Sequence, residues 1–552
     1  MSSILKKIKL YQIIFIFIYS TLGIFIIFNY GLYHDDWGFF VENNSSFKEH
    51  VKNIWKTEGS LLNRYVNVPF YILTSLIHNI KLIYLFWLII GFFICWQLHD
   101  LFELVFEKSI LKKNDKFIEL YLPALILLWY FLPFNIGGQV WTADLHVKVS
   151  FVFFLAHFQF FLRNKFFFTI LFQILAFNSY EMFYFLNLTF VIIFFIIGSI
   201  GGKELKKYIY YSVLILIFFI IDRKRDYYEF ELFSFILNNL VNIPRFFYAI
   251  YSSFQTYLHP VLFIILMLPI FYPIKKFWLS SQLEKKNKIY FIFLIILSFC
   301  LNSAILVGGH YGFTGQGVFS RSMYGASFII LFFLIFIFSI AVNRNNTLVI
   351  IYFTFISILG FVGESLNWKK SWRVQTEVFN SDILKNNKDE FDLSKKYIVI
   401  FKGPCSINGV EIFAAPWDIT RSMVSRNLEF ENLKFIPIQN WEAKITDKVK
   451  NKQYDQDKIN QFKKFLKIHT YYYPLENYES IYLWDYFKNK SEILIKYDSK
   501  YLLSLNESEI YDINNQLKKI NETSKCQIDT KNYKNNLSIL RKIFKTQFFK
   551  IT

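Results

Sequence analysis

The chain has 552 residues, of which 54% are hydrophobic, 21% aromatic and only 19% charged, with 68 Phe, 36 Tyr and 12 Trp. Its mean hydropathy is +0.31. A soluble chain carries about 25% charge, so an ordinary soluble enzyme is excluded and long apolar runs must account for the deficit. Runs such as 11–29, 82–97 and 323–342 carry almost no charge and match a bilayer core, which needs roughly 20 apolar residues per helix. The net charge of +19 raises the question of nucleic acid. Much of the Lys and Arg lies in short clusters between apolar runs, as at Lys6/Lys7/Lys9, Lys112/Lys113 and Lys275/Lys276. That is the positive-inside pattern of cytoplasmic loops, so the expected partner is a lipid bilayer and not nucleic acid.

Asn, Lys, Ile, Tyr and Phe abound while Ala, Gly and Pro are scarce, the bias of an AT-rich genome, and the sequon-like triplets at Asn43, Asn506 and Asn521 are then coincidental. Four cysteines provide no disulfide framework or zinc ribbon. Cys95 and Cys300 fall in apolar runs and read as small hydrophobes. Cys405 and Cys526 lie in the polar C-terminal part, where a disulfide on an oxidising side and two separate thiols are both open readings.

The N-terminal Lys-bearing stretch and the apolar run after it resemble a signal sequence without a small-x-small cleavage site, and read as a retained signal anchor. With Lys6 to Lys9 cytoplasmic, residues 30–65 lie outside. Further spans near 82–104, 118–134, 147–162, 166–179, 181–201, 208–221, 259–274, 289–307, 323–342 and 347–363 bring the total to about eleven crossings. The cytoplasmic turns then carry Lys108 to Lys116, Arg163 to Lys165, Lys203 to Lys207, Lys275 to Lys288 and Arg344. The weakest crossing is 208–221, short and followed by Arg223-Lys224-Arg225 on the outside. Residues 66–80 read as a helix lying in the interface, because a full span there would invert every later loop.

From Glu364 the charge rises and the pattern suits a C-terminal extracytoplasmic α/β domain over 364–552, following a transmembrane domain over 1–363. Residues 396–401 and 434–438 read as strands and 453–468 as a Lys-rich amphipathic helix with a solvated basic face. No phosphate-cradling Gly loop, nucleophile elbow or metal-ligand spacing occurs there. The fold class is thus an all-α polytopic membrane protein with an appended α/β domain.

Chemistry is expected just outside the first span, in Tyr33-His34-Asp35-Asp36-Trp37-Gly38. Adjacent carboxylates in a turn point in different directions, so one can take a proton from a hydroxyl while the other orients a ligand or cation. The plain alternative is a helix-ending turn with Trp37 as an interface anchor. The same outside loop contains Glu58-Gly59-Ser60-Leu61-Leu62-Asn63-Arg64 and runs into the interfacial stretch.

An acidic pair in the first outside loop, a later Gly and Arg, and a surface-lying helix before the second span resemble the GT-C glycosyltransferase superfamily, most of all bacterial O-antigen glucosyltransferases. Three other places fit that resemblance. Asn178-Ser179-Tyr180-Glu181 looks like the polar Tyr-acid step of the bacterial branch, with a simple loop cap as its alternative. Trp141-Thr142-Ala143-Asp144-Leu145-His146 sits where metal-dependent relatives place another acidic ligand, so Asp36, Asp144 and His146 form an incomplete donor set for a divalent cation such as Mg or Mn. Gly308 to Arg321 is a Gly-rich outside loop containing His310 and ending in Arg at the head of a span. The guanidinium fork suits a phosphate leaving group, and its alternative is a snorkelling Arg.

The resemblance covers the membrane part to about residue 363. It implies a plasma-membrane enzyme of bacterial type, N-terminus cytoplasmic, that transfers a sugar from a polyprenyl-phosphate donor to a cell-surface glycan or glycolipid with inversion. Asp35 and Asp36 would be catalytic, Arg321, Arg64 and His310 would hold the donor phosphate, and Tyr180 and Glu181 would support them. The alternatives are an O-antigen polymerase or ligase using a diphosphate-linked glycan, and a transporter without catalysis. A transporter predicts polar residues within spans and internal repeats; Gln173, Asn178, Asn187 and Asn302 are present, without a convincing repeat.

Overall fold

The computed structural model describes residues 10–31, 33, 79–109, 117–135, 145–179, 184–222, 244–254, 260–280, 284–308, 323–341, 347–380, 392, 394–407, 410–413, 419–420, 422–423, 432–438, 445–446, 465–468, 471–474, 477–487, 493–498 and 509. These fall into two compact units. Tyr30 and the residues before it, with those from Asn79 to Leu366, form the first; Gly31, Tyr33 and the residues from Asn367 onward form the second.

The first unit is helical: α1 (Leu10–Asn29), α2 (Ile80–Lys108), α3 (Leu122–Tyr130, entered through a π turn at Phe117–Tyr121), α4 (Leu145–Leu162), α5 (Phe166–Ser179), α6 (Tyr184–Ile196), α7 (Gly202–Asp222), α8 (residues 244–254), α9 (Pro260–Met267), α10 (Phe271–Leu279), α11 (Lys285–Gly308) and α12 (Met323–Ala341). A last helix, α13 (Thr347–Phe379), supplies residues to both units. Helix ends are set by local chemistry. Asn79 caps α2 by accepting the Lys81 N–H at 2.9 Å. Asn164 takes φ 58° between α4 and α5, and Gly198 takes φ 72° after α6, each closing a helix with the left-handed residue that Asn and Gly adopt at least cost. The first of these turns is tied to α2 by Arg163, which donates to Asp100 at 2.8 Å.

Interior packing explains the aromatic surplus. Phe190 and Phe332 stack at 4.1 Å, and Phe151 meets Phe328 edge-on at 4.8 Å, geometries that the ring quadrupole favours. The outward faces are apolar as well, with Phe17 and Phe167 exposed by 70% and 74%. A surface of this kind calls for a non-aqueous neighbour. Among the described residues three helical stretches, Ile80–Lys108, Val261–Leu279 and Met323–Ile340, are long and apolar enough to cross a membrane, and several shorter apolar helices accompany them.

Three features differ from the sequence reading. Lys203 to Lys207 are not a loop but the opening turns of α7, which gives the short 208–221 run a helix of 21 residues; Lys and Glu favour helix, and the Lys207 ammonium caps the Phe166 ring at 3.2 Å. Helix α8 was not expected; it packs Phe246, Ala249 and Phe254 into a core with Met323, Ala326 and Ile356. The rise in charge at Glu364 does not end a helix, since α13 runs on to Phe379.

In the second unit β1 (Tyr397–Lys402) is flanked in parallel by β4 (Leu433–Pro437) and β8 (Ser480–Asp485), and β9 (Ile493–Asp498) adds antiparallel to β8, in the order β4-β1-β8-β9. Both expected strands are therefore present, offset by one residue. β1 is buried at every position, as befits a parallel strand covered on both faces. Tyr397, Val399, Phe401, Phe435, Tyr482 and Trp484 form one side of that core. Short strands β2 (Ser406–Ile407) and β3 (Val410–Glu411) pair with each other, and β5 (Ile445–Thr446), β6 (Phe465–Ile468) and β7 (Tyr471–Pro474) form a small antiparallel sheet. The expected helix over 453–468 is thus corrected at its end. Residues 465–468 are β6, because cross-strand pairing with the tyrosines of β7 outweighs the helical spacing; residues 453–464 lie outside the described residues.

Cys95 and Cys300 are free thiols, whereas Cys405 is held in a disulfide. The fourth cysteine, Cys526, lies outside the described residues. Maleimide-PEG labelling of the denatured protein is expected to shift two thiols before reduction and four after it; four without reductant would rule the bond out.

Candidate functional site

One end of the helical unit gathers polar and ionisable side chains. Tyr30, which continues α1 through an N–H bond to the Ile26 carbonyl at 3.1 Å, meets Tyr84 of α2 edge-on at 6.1 Å. The Tyr30 hydroxyl lies beside Ser365 and Glu364 of α13, and both of these are buried. One turn beyond Tyr84, Trp87 offers its ring face to Lys148, whose ammonium stands 4.2 Å from the ring centroid. Lys148 belongs to the opening turns of α4 and is 0% exposed.

A second set of contacts fixes neighbouring helix ends to one another. Trp129 of α3 donates its indole N–H to Ser327 Oγ at 3.0 Å; that hydroxyl lies 2.7 Å from Asn135 Oδ1, and Asn135 Nδ2 donates to the Trp129 carbonyl at 2.6 Å. Phe151 of α4 then packs between Trp129 and Tyr324 of α12, at 5.7 and 5.3 Å. Ser150 donates to the Ala176 carbonyl at 2.7 Å and brings the end of α5 alongside. The end of α3, the start of α4, the end of α5 and the start of α12 are thereby locked to one another.

The residues expected to do chemistry lie, in sequence, next to these elements. Asp35 and Asp36 follow Tyr30 by five and six residues, and Arg64 lies between Tyr30 and α2. Asp144 precedes α4; Tyr180 and Glu181 follow α5; His310 and Arg321 precede α12. All eight lie outside the described residues. His146 falls in the first turn of α4, with its side chain likewise outside them. No group of three or more His, Cys, Asp or Glu that could hold a metal occurs among the described residues.

Lys148 is the residue that sequence reasoning passed over. Its signal was present: a single cation inside the apolar run 147–162, directly after the Trp141 to His146 motif. Burial of a cation at a helix start is chemically suited to an anionic partner, because few competing water molecules screen it. Two of the polar residues named for the transporter alternative, Asn187 and Gln173, make bonds between helices. His157 Nε2 is 2.6 Å from Asn187 Oδ1 and 2.9 Å from the Tyr208 hydroxyl, and Gln173 donates to Ser212 at 2.8 Å. Such cross-helix bonds hold helices together.

Comparison of this chain with family models, with curated proteins and with solved structures finds no match.

Proposed function

We propose that the chain is a multi-pass membrane glycosyltransferase of GT-C type, crossing the bilayer about eleven times, that transfers a sugar from a polyprenyl-phosphate donor to a cell-surface polysaccharide or glycolipid. The observation that carries the reading is the buried Lys148 in the opening turns of α4, directly after the Trp141 to His146 motif in the sequence. An isoprenoid donor is insoluble in water, which gives a reason for assembling the site at the end of apolar helices. The disulfide at Cys405 supports an oxidising, extracytoplasmic side for the second unit.

In this reading the acceptor oxygen attacks the anomeric carbon in line and its proton passes to Asp35 or Asp36. The bond from that carbon to the phosphate oxygen breaks, inverting the configuration, and the polyprenyl phosphate departs with the electron pair. Charge grows on that phosphate in the transition state, where fixed cations contribute most; Arg321, Arg64 and His310 supply them, with Lys148 added. Tyr180 and Glu181 support the acceptor side. The divalent cation expected on Asp36, Asp144 and His146 belongs to the same proposal, and no step above passes through it.

Purified protein given a labelled polyprenyl-phosphate sugar is expected to release the monophosphate lipid. Asp35→Asn and Asp36→Asn, tested singly, are expected to lower transfer at least 10²-fold, the general-base range. Wild-type rates in both variants would remove the base assignment. Release of a diphosphate lipid instead would favour the polymerase or ligase alternative, and movement of intact donor without release would favour a transporter.

A further inference from the structure

At the corner between α10 and α11 one lysine is turned inward and the others outward. Lys288, in the first turn of α11, is buried and reaches back to the end of α10, where it donates to the Trp278 carbonyl at 3.0 Å and to the Ser280 carbonyl. Its ammonium stands 5.9 Å from the Phe277 ring, and Phe277 packs on Phe291 of α11 with ring centroids 5.9 Å apart. The closing carbonyls of a helix are its negative end and are commonly met by a lysine. Here that task falls to Lys288 and not to the exposed lysines.

Lys275 and Lys276 near the end of α10, and Lys285 and Lys286 at the start of α11, are exposed. Each lies within three residues of Trp278 or Lys288, and the hydrogen bond between those two residues brings both pairs to the same corner. Glu284 is the one acidic residue between 260 and 308. Like charges gathered this closely repel one another, the more so where water is scarce, and an anion among them relieves the repulsion.

The surface next to these charges is apolar. The Lys276 ammonium stands 5.8 Å from the Tyr272 ring, one turn back along α10, and that of Lys286 stands 5.6 Å from the Tyr290 ring, one turn on along α11. Both directions lead away from the corner onto exposed apolar faces, where Phe271 is 65% and Phe293 59% exposed. Charge at the corner followed by apolar surface along two helices is complementary to an anionic head followed by hydrocarbon.

We propose that the corner between α10 and α11 is a binding site for an anionic phospholipid, its phosphate among Lys275, Lys276, Lys285 and Lys286 and its acyl chains along the exposed faces of both helices. Basic recesses between membrane helices take such headgroups. A zwitterionic lipid brings an ammonium of its own to the same lysines, so the site selects by headgroup charge. A bound lipid joins α10 to α11 across the corner, as Lys288 does from inside. The inference needs only that these helices meet a bilayer, and it is independent of the sugar-transfer reading.

Full-length protein in a neutral detergent is titrated with phosphatidylglycerol in the same detergent, and bound lipid is counted by native mass spectrometry. Saturable binding is expected, with phosphatidylcholine at least about tenfold weaker. Lys285→Gln/Lys286→Gln is expected to weaken phosphatidylglycerol binding at least about tenfold, whereas Lys203→Gln/Lys206→Gln, which removes equal charge from the exposed start of α7, leaves it within about twofold. Equal weakening by the two double variants overturns the proposal, as does wild-type binding by the first or equal binding of phosphatidylcholine. Displacement of the lipid by an equal concentration of glycerol 1-phosphate assigns the corner to a soluble phosphate and overturns it too. If Lys285→Gln/Lys286→Gln melts early without lipid, Lys275→Gln/Lys276→Gln takes its place and decides.

Discussion

Lys148→Met is expected to lower sugar transfer by about 10²- to 10³-fold, the loss typical when one preorganised charge is removed from a developing anion, while the protein still assembles. The Lys148 ammonium is fully buried against the Trp87 ring. Methionine fills much of the same volume and keeps an apolar stem against the indole, so what changes most is the charge. Turnover of labelled donor, measured beside a melting curve, reads the two apart. A folded variant turning over at the wild-type rate would take Lys148 out of the donor site. Lys148→Arg keeps the charge but brings a planar fork into a site shaped for an ammonium, and partial activity is the expected result.

Gly31→Ala is expected to cost at least tenfold in transfer through position alone, a loss of the size that small misplacements of reacting groups produce. A Cβ on Gly31 would stand 1.9 Å from the Trp372 ring, so the ring or the backbone at Gly31 must shift. Two residues on, Tyr33 donates its hydroxyl to the Trp368 carbonyl at 2.7 Å and meets the Trp368 ring edge-on at 4.6 Å. These contacts hold the chain just before Asp35. If Asp35 and Asp36 act as proposed, a shift at this anchor is expected to lower kcat while both carboxylates remain in the sequence. A crude membrane assay at matched expression checks this, with Tyr33→Phe, which keeps the ring contact and loses one hydrogen bond, expected to be milder. Equal activity in Gly31→Ala and wild type would show that the segment can be displaced without consequence.

The helices of the first unit were largely legible from composition, because an apolar stretch such as 323–342 satisfies its backbone within itself and needs no distant partner to define it. The opening of α7 was misread for a related reason: Lys203 to Lys207 look like a loop when charge alone is counted, yet they are good helix formers. Strands β1 and β4 were legible as short apolar runs. β6 was not, since residues 465–468 are strand only because Tyr471 to Pro474 returns alongside them.

The chain's own order of residues determined that it has long apolar helices, a polar C-terminal region and clusters of Lys at their junctions, since each is a property of neighbours in sequence. Which side chains meet was decided by the tertiary structure. Lys148 became notable through the Trp87 face that covers it, and Lys288 through the carbonyls at the end of α10 that it reaches from α11. A lysine in a sequence carries a charge in any setting. Only packing removes the water around it and so makes that charge strong, costly and useful.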